Sequence, residues 1–195
     1  MNVTLDTNCI IALEQREAAA PHVQGLLSDH RAGLIALRVV ATMASEVMPG
    51  GRTAPTFKVF KNRLAELGAD DIEILKPIGY YDMAYWDWTI WGDEAHFALA
   101  DDIHRILFPS IELSYADFCK TRGIDPAHRP NDRKWRNAKC DVLTLWGHIH
   151  YGGGIFVTDD GKFHTATKKP RLLALGAGEI LRPHEARAAV HATHD

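Results

Sequence analysis

Residues Asn2-Val3-Thr4-Leu5-Asp6-Thr7-Asn8-Cys9 begin as a short apolar strand, stop on an acid, and turn directly into a helix. Thr7 or Asn8 is suited to cap that helix, which should run to about Glu17 with Ile10, Ile11 and Leu13 on its apolar side. A similar junction recurs late in the chain, at Ile155-Phe156-Val157-Thr158-Asp159-Asp160-Gly161-Lys162-Phe163. Between the two junctions the spacing predicts helices over 21–30, 39–48, 56–67, 94–107, 114–121 and 132–150, and strands over 34–37 and 72–75. After the second junction come a short helix over 162–168, a strand at Ile180-Leu181 and a helix over 184–190. Strands alternating with helices predict an α/β fold around a mainly parallel sheet.

The chain has 195 residues, 46% hydrophobic and 24% charged, which suits one soluble domain spanning 1–195 and excludes a largely disordered chain. Three cysteines without a C-x-x-C pair make neither a disulfide framework nor a thiolate metal site. No apolar run approaches the ~20 residues that cross a bilayer. Met1 to Cys9 lacks the basic-then-apolar order of a secretory signal, so a reduced, cytoplasmic protein is expected.

The net charge of −3 hides segregation. Residues 51–65 carry Arg52, Lys58, Lys61 and Arg63 and no acid; residues 120–139 carry seven basic residues, Arg129 among them, against two acids. From Asp82 to Asp117 eight acids face one arginine. Such faces suit phosphates on one side and a basic partner on the other, or are simply solvated.

Four acids stand out. Asp6 and Asp160 each follow an apolar strand, and ligands of parallel α/β sheets bind beyond the carboxyl ends of strands. Glu46 and Asp141 lie on largely apolar helical stretches, where a carboxylate is costly unless paired or metal-bound.

In this order and setting, Leu5-Asp6-Thr7-Asn8, Glu46, Cys140-Asp141-Val142-Leu143 and Val157-Thr158-Asp159-Asp160-Gly161-Lys162-Phe163 resemble the four acidic motifs of PIN-domain nucleases, and Ile180-Leu181-Arg182-Pro183 resembles that family's closing strand. The resemblance covers residues 2 to about 187. It implies a PIN-like α/β/α sandwich with a helical insertion around 80–124, since the toxins of bacterial toxin–antitoxin pairs are shorter. It implies catalytic and metal-binding roles for Asp6, Glu46, Asp141 and Asp160, with Asp160 preferred to Asp159 because it stands three residues before Phe163. Thr7 or Asn8 and Thr158 would be supporting polar groups, and Asp159 either a further supporting group or a solvent-facing residue. The implied cofactor is Mg²⁺ or Mn²⁺, a match for hard carboxylate oxygens. The implied reaction is metal-dependent hydrolysis of single-stranded RNA to 5′-phosphate and 3′-hydroxyl ends. The implied partners are RNA, single-stranded or structured, and an antitoxin or other protein; a homodimer is compatible, and no membrane is involved.

An anionic pocket repels RNA, so cations must hold the backbone. Arg133, Lys134, Arg136 and Lys139 lead into Asp141 and are the candidates, with Trp135 to stack on a base or to pack. Trp86, Trp88 and Trp91 are expected to bury the insertion against the core. His148 and His150, two residues apart, do not share a helix face and are not expected to share a metal. Two alternatives stand beside the nuclease. One is a non-catalytic PIN-like module that binds RNA or protein. The other is a haloacid-dehalogenase-type phosphatase, weakened because Asn8 stands where its motif needs a second acid.

Overall fold

A computed structural model describes residues 1–46, 54, 56–80, 83–126 and 132–193. Arg52, Asp82 and Arg129, counted among the charged runs above, lie outside the described residues, as does the end of the helix expected over 39–48.

Five strands form one parallel sheet: β1 (Asn2–Leu5), β2 (Ala36–Val40), β3 (Glu73–Leu75), β4 (Ile155–Val157) and β5 (Glu179–Leu181), ordered β3-β2-β1-β4-β5. Pairing sets Thr4 beside Arg38 and Phe156. The strands are short apolar runs because both faces are covered. Val3, Leu5, Leu37, Val39, Ile155 and Val157 pack on one face. They meet α1 (Thr7–Gln15), α2 (Ala20–Arg31), α3 (Phe57–Glu66) and α8 (Pro183–Ala192). Phe156 and Ile180 point the other way, into α4 (Glu94–Leu107), α6 (Arg133–His150) and α7 (Lys169–Ala174). The expected α/β/α sandwich is therefore present.

Within the stretch expected as an insertion, α4 begins on a capping box between Asp93 and His96 and buries Ala100, Ile103, Ile106 and Leu107 against α6. That helix is a working part of the second layer. After it comes α5 (Tyr115–Arg122), closed by Gly123 in the left-handed region at φ 64°.

Two expectations need correction. The strand expected over 34–37 forms over Ala36–Val40; the chain then makes a 3-10 turn, Ala41–Ser45, and Glu46 is extended after that turn. The β-branched pair Val39-Val40 extends the strand into the region read as helix. Of the three tryptophans, only Trp88 joins the core, its ring stacked 4.1 Å from that of Phe57. Trp86 and Trp91 are 80% and 85% exposed. They lean on each other beside a cavity of about 410 Å³ rather than burying the segment.

Gly154 and Gly178 permit the β1–β4–β5 junction at the amino end of the sheet. Both have positive φ, and a Cβ on Gly154 would strike the Asn2 backbone, on Gly178 the Gly154 backbone.

Candidate active site

The first strand delivers Asp6 as the N-cap of α1, with its carboxylate buried. Oδ1 accepts from the Thr7 amide at 2.8 Å. Oδ2 accepts from the Asn8 amide nitrogen at 2.6 Å and the Thr158 hydroxyl at 2.7 Å. Thr158 in turn accepts from Asn8 at 2.8 Å and from the Asp160 amide at 3.1 Å. The ends of β1 and β4 are thus tied into one polar seam. Thr158 and Asn8 support Asp6 as expected. Asp159 takes the solvent-facing course of its two readings and pairs with Arg182 at 2.5 Å.

Asp160 caps the 3-10 turn Gly161–His164, and that turn throws Lys162 back over the seam. The Lys162 ammonium lies 2.7 Å from Asp141 Oδ2 and 2.5 Å from Asp160 Oδ2. The rings of Phe108 and Phe163 flank it, with centroids at 5.2 and 5.6 Å. Sequence reading assigned Lys162 no role. The available signal was a lone cation two residues after Asp160, inside the acidic motif itself.

Glu46 arrives from the end of β2. Its carboxylate lies near the Thr7 side chain, which favours its charged form. The turn that carries it is pinned to α6: Arg136 Nε donates to the Ser45 carbonyl at 2.8 Å, and the Thr42 and Thr144 hydroxyls meet at 3.0 Å.

Electrostatics report that the acids share one neighbourhood. Burial pushes the Asp6 carboxyl above its ordinary value, against hydrogen bonds from Thr158 and Thr7, and Asp160 adds to the rise. Burial raises Glu46 to about 7, with Asp6 contributing. Burial raises Asp141 strongly, and Asp6 and Glu46 push it further while Lys162 opposes them. For Lys162 itself, burial pulls downward, but Asp141 and Asp160 outweigh it and hold the ammonium above the ordinary lysine value. Among the described residues no three His, Cys, Asp or Glu side chains form a ready metal-ligand group. The acids are neighbours, and Lys162 is what joins two of them.

The residues expected to hold RNA divide. Arg133 and Lys134 are exposed in the first turn of α6. Trp135 is 2% exposed, donates its indole N–H to the Glu112 carbonyl at 3.0 Å and packs edge-on to Tyr115, so it offers no face to a base. Lys139 is buried, with its ammonium over the Tyr80 and Trp135 rings, and burial lowers it to about 8. Arg136 is buried on the Ser45 carbonyl. These three are structural in this arrangement, and the expectation that they contact RNA is withdrawn.

His148 is also buried. Nδ1 meets the Thr4 hydroxyl and Nε2 the Ala177 carbonyl, each at 2.9 Å, while His150 stacks on Trp146. The two histidines point to different surroundings. No family model and no curated protein matches this chain.

Proposed function

We propose that this chain is a metal-dependent endoribonuclease of the PIN type, hydrolysing phosphodiester bonds of single-stranded RNA with Mg²⁺ or Mn²⁺. One observation carries the reading. Four carboxylates from four separate stretches gather at the carboxyl end of the sheet, and three of them are pushed toward their neutral forms by burial and mutual repulsion. Such an arrangement is costly in an ordinary core, and perturbed carboxyls gathered at the strand ends are the mark of a working site.

In donor chemistry the acids suit the cofactor, although among the described residues they do not stand as a ready ligand group. Carboxylate oxygens are hard ligands, and an added dication would draw Asp6, Glu46 and Asp141 back to the ionised forms that bind it. When bound, the ion supplies a water of lowered pKa and offsets charge that grows on the phosphate. The chain's own residues do the rest. Thr7, Asn8 and Thr158 hold Asp6 in one rotamer. Arg136 and Thr144 hold the turn before Glu46, whose carboxylate can orient the attacking water. Exposed Arg133 and Lys134 are available to the RNA backbone. Asn8 spends its amide on Asp6 and Thr158, so the position where a dehalogenase-type phosphatase needs its second acid is occupied by a hydrogen-bond donor.

The test is purified protein with labelled single-stranded RNA, in Mn²⁺ and in chelator. Cleavage in Mn²⁺ alone, lost in Asp6→Asn, is the expected result. RNA binding without cleavage in either condition would refute the enzyme and favour the binding module, and phosphomonoester turnover with intact RNA would favour the phosphatase.

A further inference from the structure

We propose that the cavity beside Trp86 and Trp91 is a docking site for a basic segment of a partner protein, with an arginine side chain seated against the two indole rings. Its lining shares no residue with the acidic pocket, and the proposal does not depend on the nuclease reading.

Both indoles stand in water, 80% and 85% exposed, with ring centroids 5.8 Å apart and planes inclined by 55°. With Tyr80, Thr89 and Ile90 they line a cavity of about 410 Å³, within the ~300–1,000 Å³ of built ligand pockets. The segment that carries them is fixed. Ile78 and Ile90 form a parallel bridge, and the Gly79 amide donates to the Ile90 carbonyl at 2.9 Å. Adjoining exposed apolar side chains around a preformed cavity mark an interaction site, and tryptophan and arginine lead at the energetic centres of protein interfaces.

Charge around the rings selects the occupant. Between Lys76 and Arg105 the chain has six acids, Asp82, Asp87, Asp93, Glu94, Asp101 and Asp102, and no lysine or arginine. Asp87 lies in the 3-10 turn Trp86–Trp88, while Asp93 and Glu94 follow Trp91 at the start of α4, and all three are exposed. No ion pair among the described residues engages Asp87 or Glu94. Neighbouring rings already carry cations of this chain. The Lys139 ammonium lies 4.5 Å from the Tyr80 centroid, and those of Lys61 and Lys76 each lie 5.7 Å from the Trp88 centroid. Trp86 and Trp91 have each other and, among the described residues, no cation. An arginine supplies what both features lack: its planar guanidinium stacks on an indole and forks onto a carboxylate. The same carboxylates repel phosphate, which favours a basic protein segment over RNA at this place.

The experiment is a fluorescence-anisotropy titration of the full chain, in chelator, with a labelled peptide of alternating arginine and leucine. The peptide should bind saturably, and its counterpart with glutamate for arginine should not. Trp86→Ala/Trp91→Ala and, separately, Asp87→Lys/Glu94→Lys should each weaken binding by about tenfold or more. Asp6→Asn, in the acidic pocket, should leave it unchanged. All four altered surface residues are exposed, so the fold should survive, which circular dichroism checks; should the tryptophan pair not fold, the charge pair decides. Absent saturable binding, equal binding of the glutamate peptide, or undiminished affinity in either folded double variant would overturn the proposal. Affinity lost in Asp6→Asn would move the peptide to the acidic pocket and overturn it as well. Single-stranded RNA whose binding is lost in Trp86→Ala/Trp91→Ala, with peptide binding intact, would make this an RNA surface instead.

Discussion

Asp141 and His148 ride on the same helix, α6, seven residues apart and so roughly 10 Å along its axis. Both are covered by the sheet layer, yet they are treated oppositely. At the amino end of the sheet, His148 has a partner on each ring nitrogen, and Arg38 beside it bonds the Tyr151 and Gly153 carbonyls at 3.0 and 2.8 Å. At the carboxyl end, Asp141 shares its surroundings with Asp6 and Glu46 and has a single ammonium for company. At the amino end both ring nitrogens of His148 are satisfied, and Arg38 leaves only Nε without a hydrogen-bond partner. At the carboxyl end the buried carboxyls press on one another, as the proposed function would require of them.

The sharpest break in that comparison is Glu46→Gln. Outer partners of metal ligands are worth about 10–100-fold, so if Glu46 is a direct ligand, as the proposed function has it, its loss should cost at least the upper figure. RNA cleavage should fall by about a hundredfold or more. Stability should move the other way. A carboxyl held at about 7 favours the folded state below pH 4.5 and loses that advantage as pH rises through 7. At pH 8 in chelator the wild type bears the full cost of the buried charge, and Glu46→Gln should unfold about 1–3 kcal/mol later in urea, a range discounted for partial exposure. With saturating Mn²⁺ the order should invert. A variant that loses both activity and stability would make Glu46 an ordinary structural residue.

His148→Leu should be its mirror image. Two buried groups lose their partner, the Ala177 carbonyl, which accepts from Nε2–H of the neutral ring, and the Thr4 hydroxyl, which donates to Nδ1, at about 1–3 kcal/mol each. Urea denaturation should register a loss of about 2–5 kcal/mol, with cleavage unchanged at temperatures where the variant is fully folded. The pH signature also has the opposite sign. Burial holds His148 down to about 4 against an ordinary 6.5, so the unfolded chain binds the extra proton between those values. The stability it supports is complete above pH 6.5 and drains as pH falls toward 4, by about 1.4 kcal/mol per unit at most. Between pH 4.5 and 6.5 the two ends of α6 pull in opposite directions. The wild-type profile should therefore be flatter there than that of either variant.

The same contrast accounts for how much of the site was legible in the sequence. Asp6 and Asp160 were legible because an acid closing an apolar strand in an α/β pattern has only one place to go. Asp141 was legible because it interrupts an apolar helix. Lys162 was not, since nothing local says that a 3-10 turn will fold its side chain back over Asp141, twenty-one residues earlier. The basic run before Asp141 misled because charge was counted without rotation. Trp135, Lys139, Val142 and Trp146 fall at i, i+4, i+7 and i+11, the inward stripe of an amphipathic helix, and all four are buried. That spacing was present in the sequence and outweighs the charge. Glu46 was found, but on the wrong element, because Val39 and Val40 belong to a strand that was expected to end at residue 37.

The smallest effect lies at the first turn of α6, upstream of both regions. Arg133 and Lys134 are exposed, while Asp132 spends its carboxylate on capping the helix, donated to by the Lys134 and Trp135 amides. If these two side chains contact phosphates, Arg133→Ala/Lys134→Ala should weaken RNA binding about equally for all sequences. It should also flatten the plot of log affinity against log salt by about 0.7 per lost contact on a single strand, at most about 1.4 for the pair. Stability should hold within about 0.5 kcal/mol, since neither residue is buried. Fluorescence anisotropy across a salt series separates this from Lys139→Met, which removes a buried cation from between two rings and should change stability without changing the slope. An unchanged slope in the double variant would mean that the backbone is held elsewhere, and that α6 contributes one acid to the pocket and nothing to the grip.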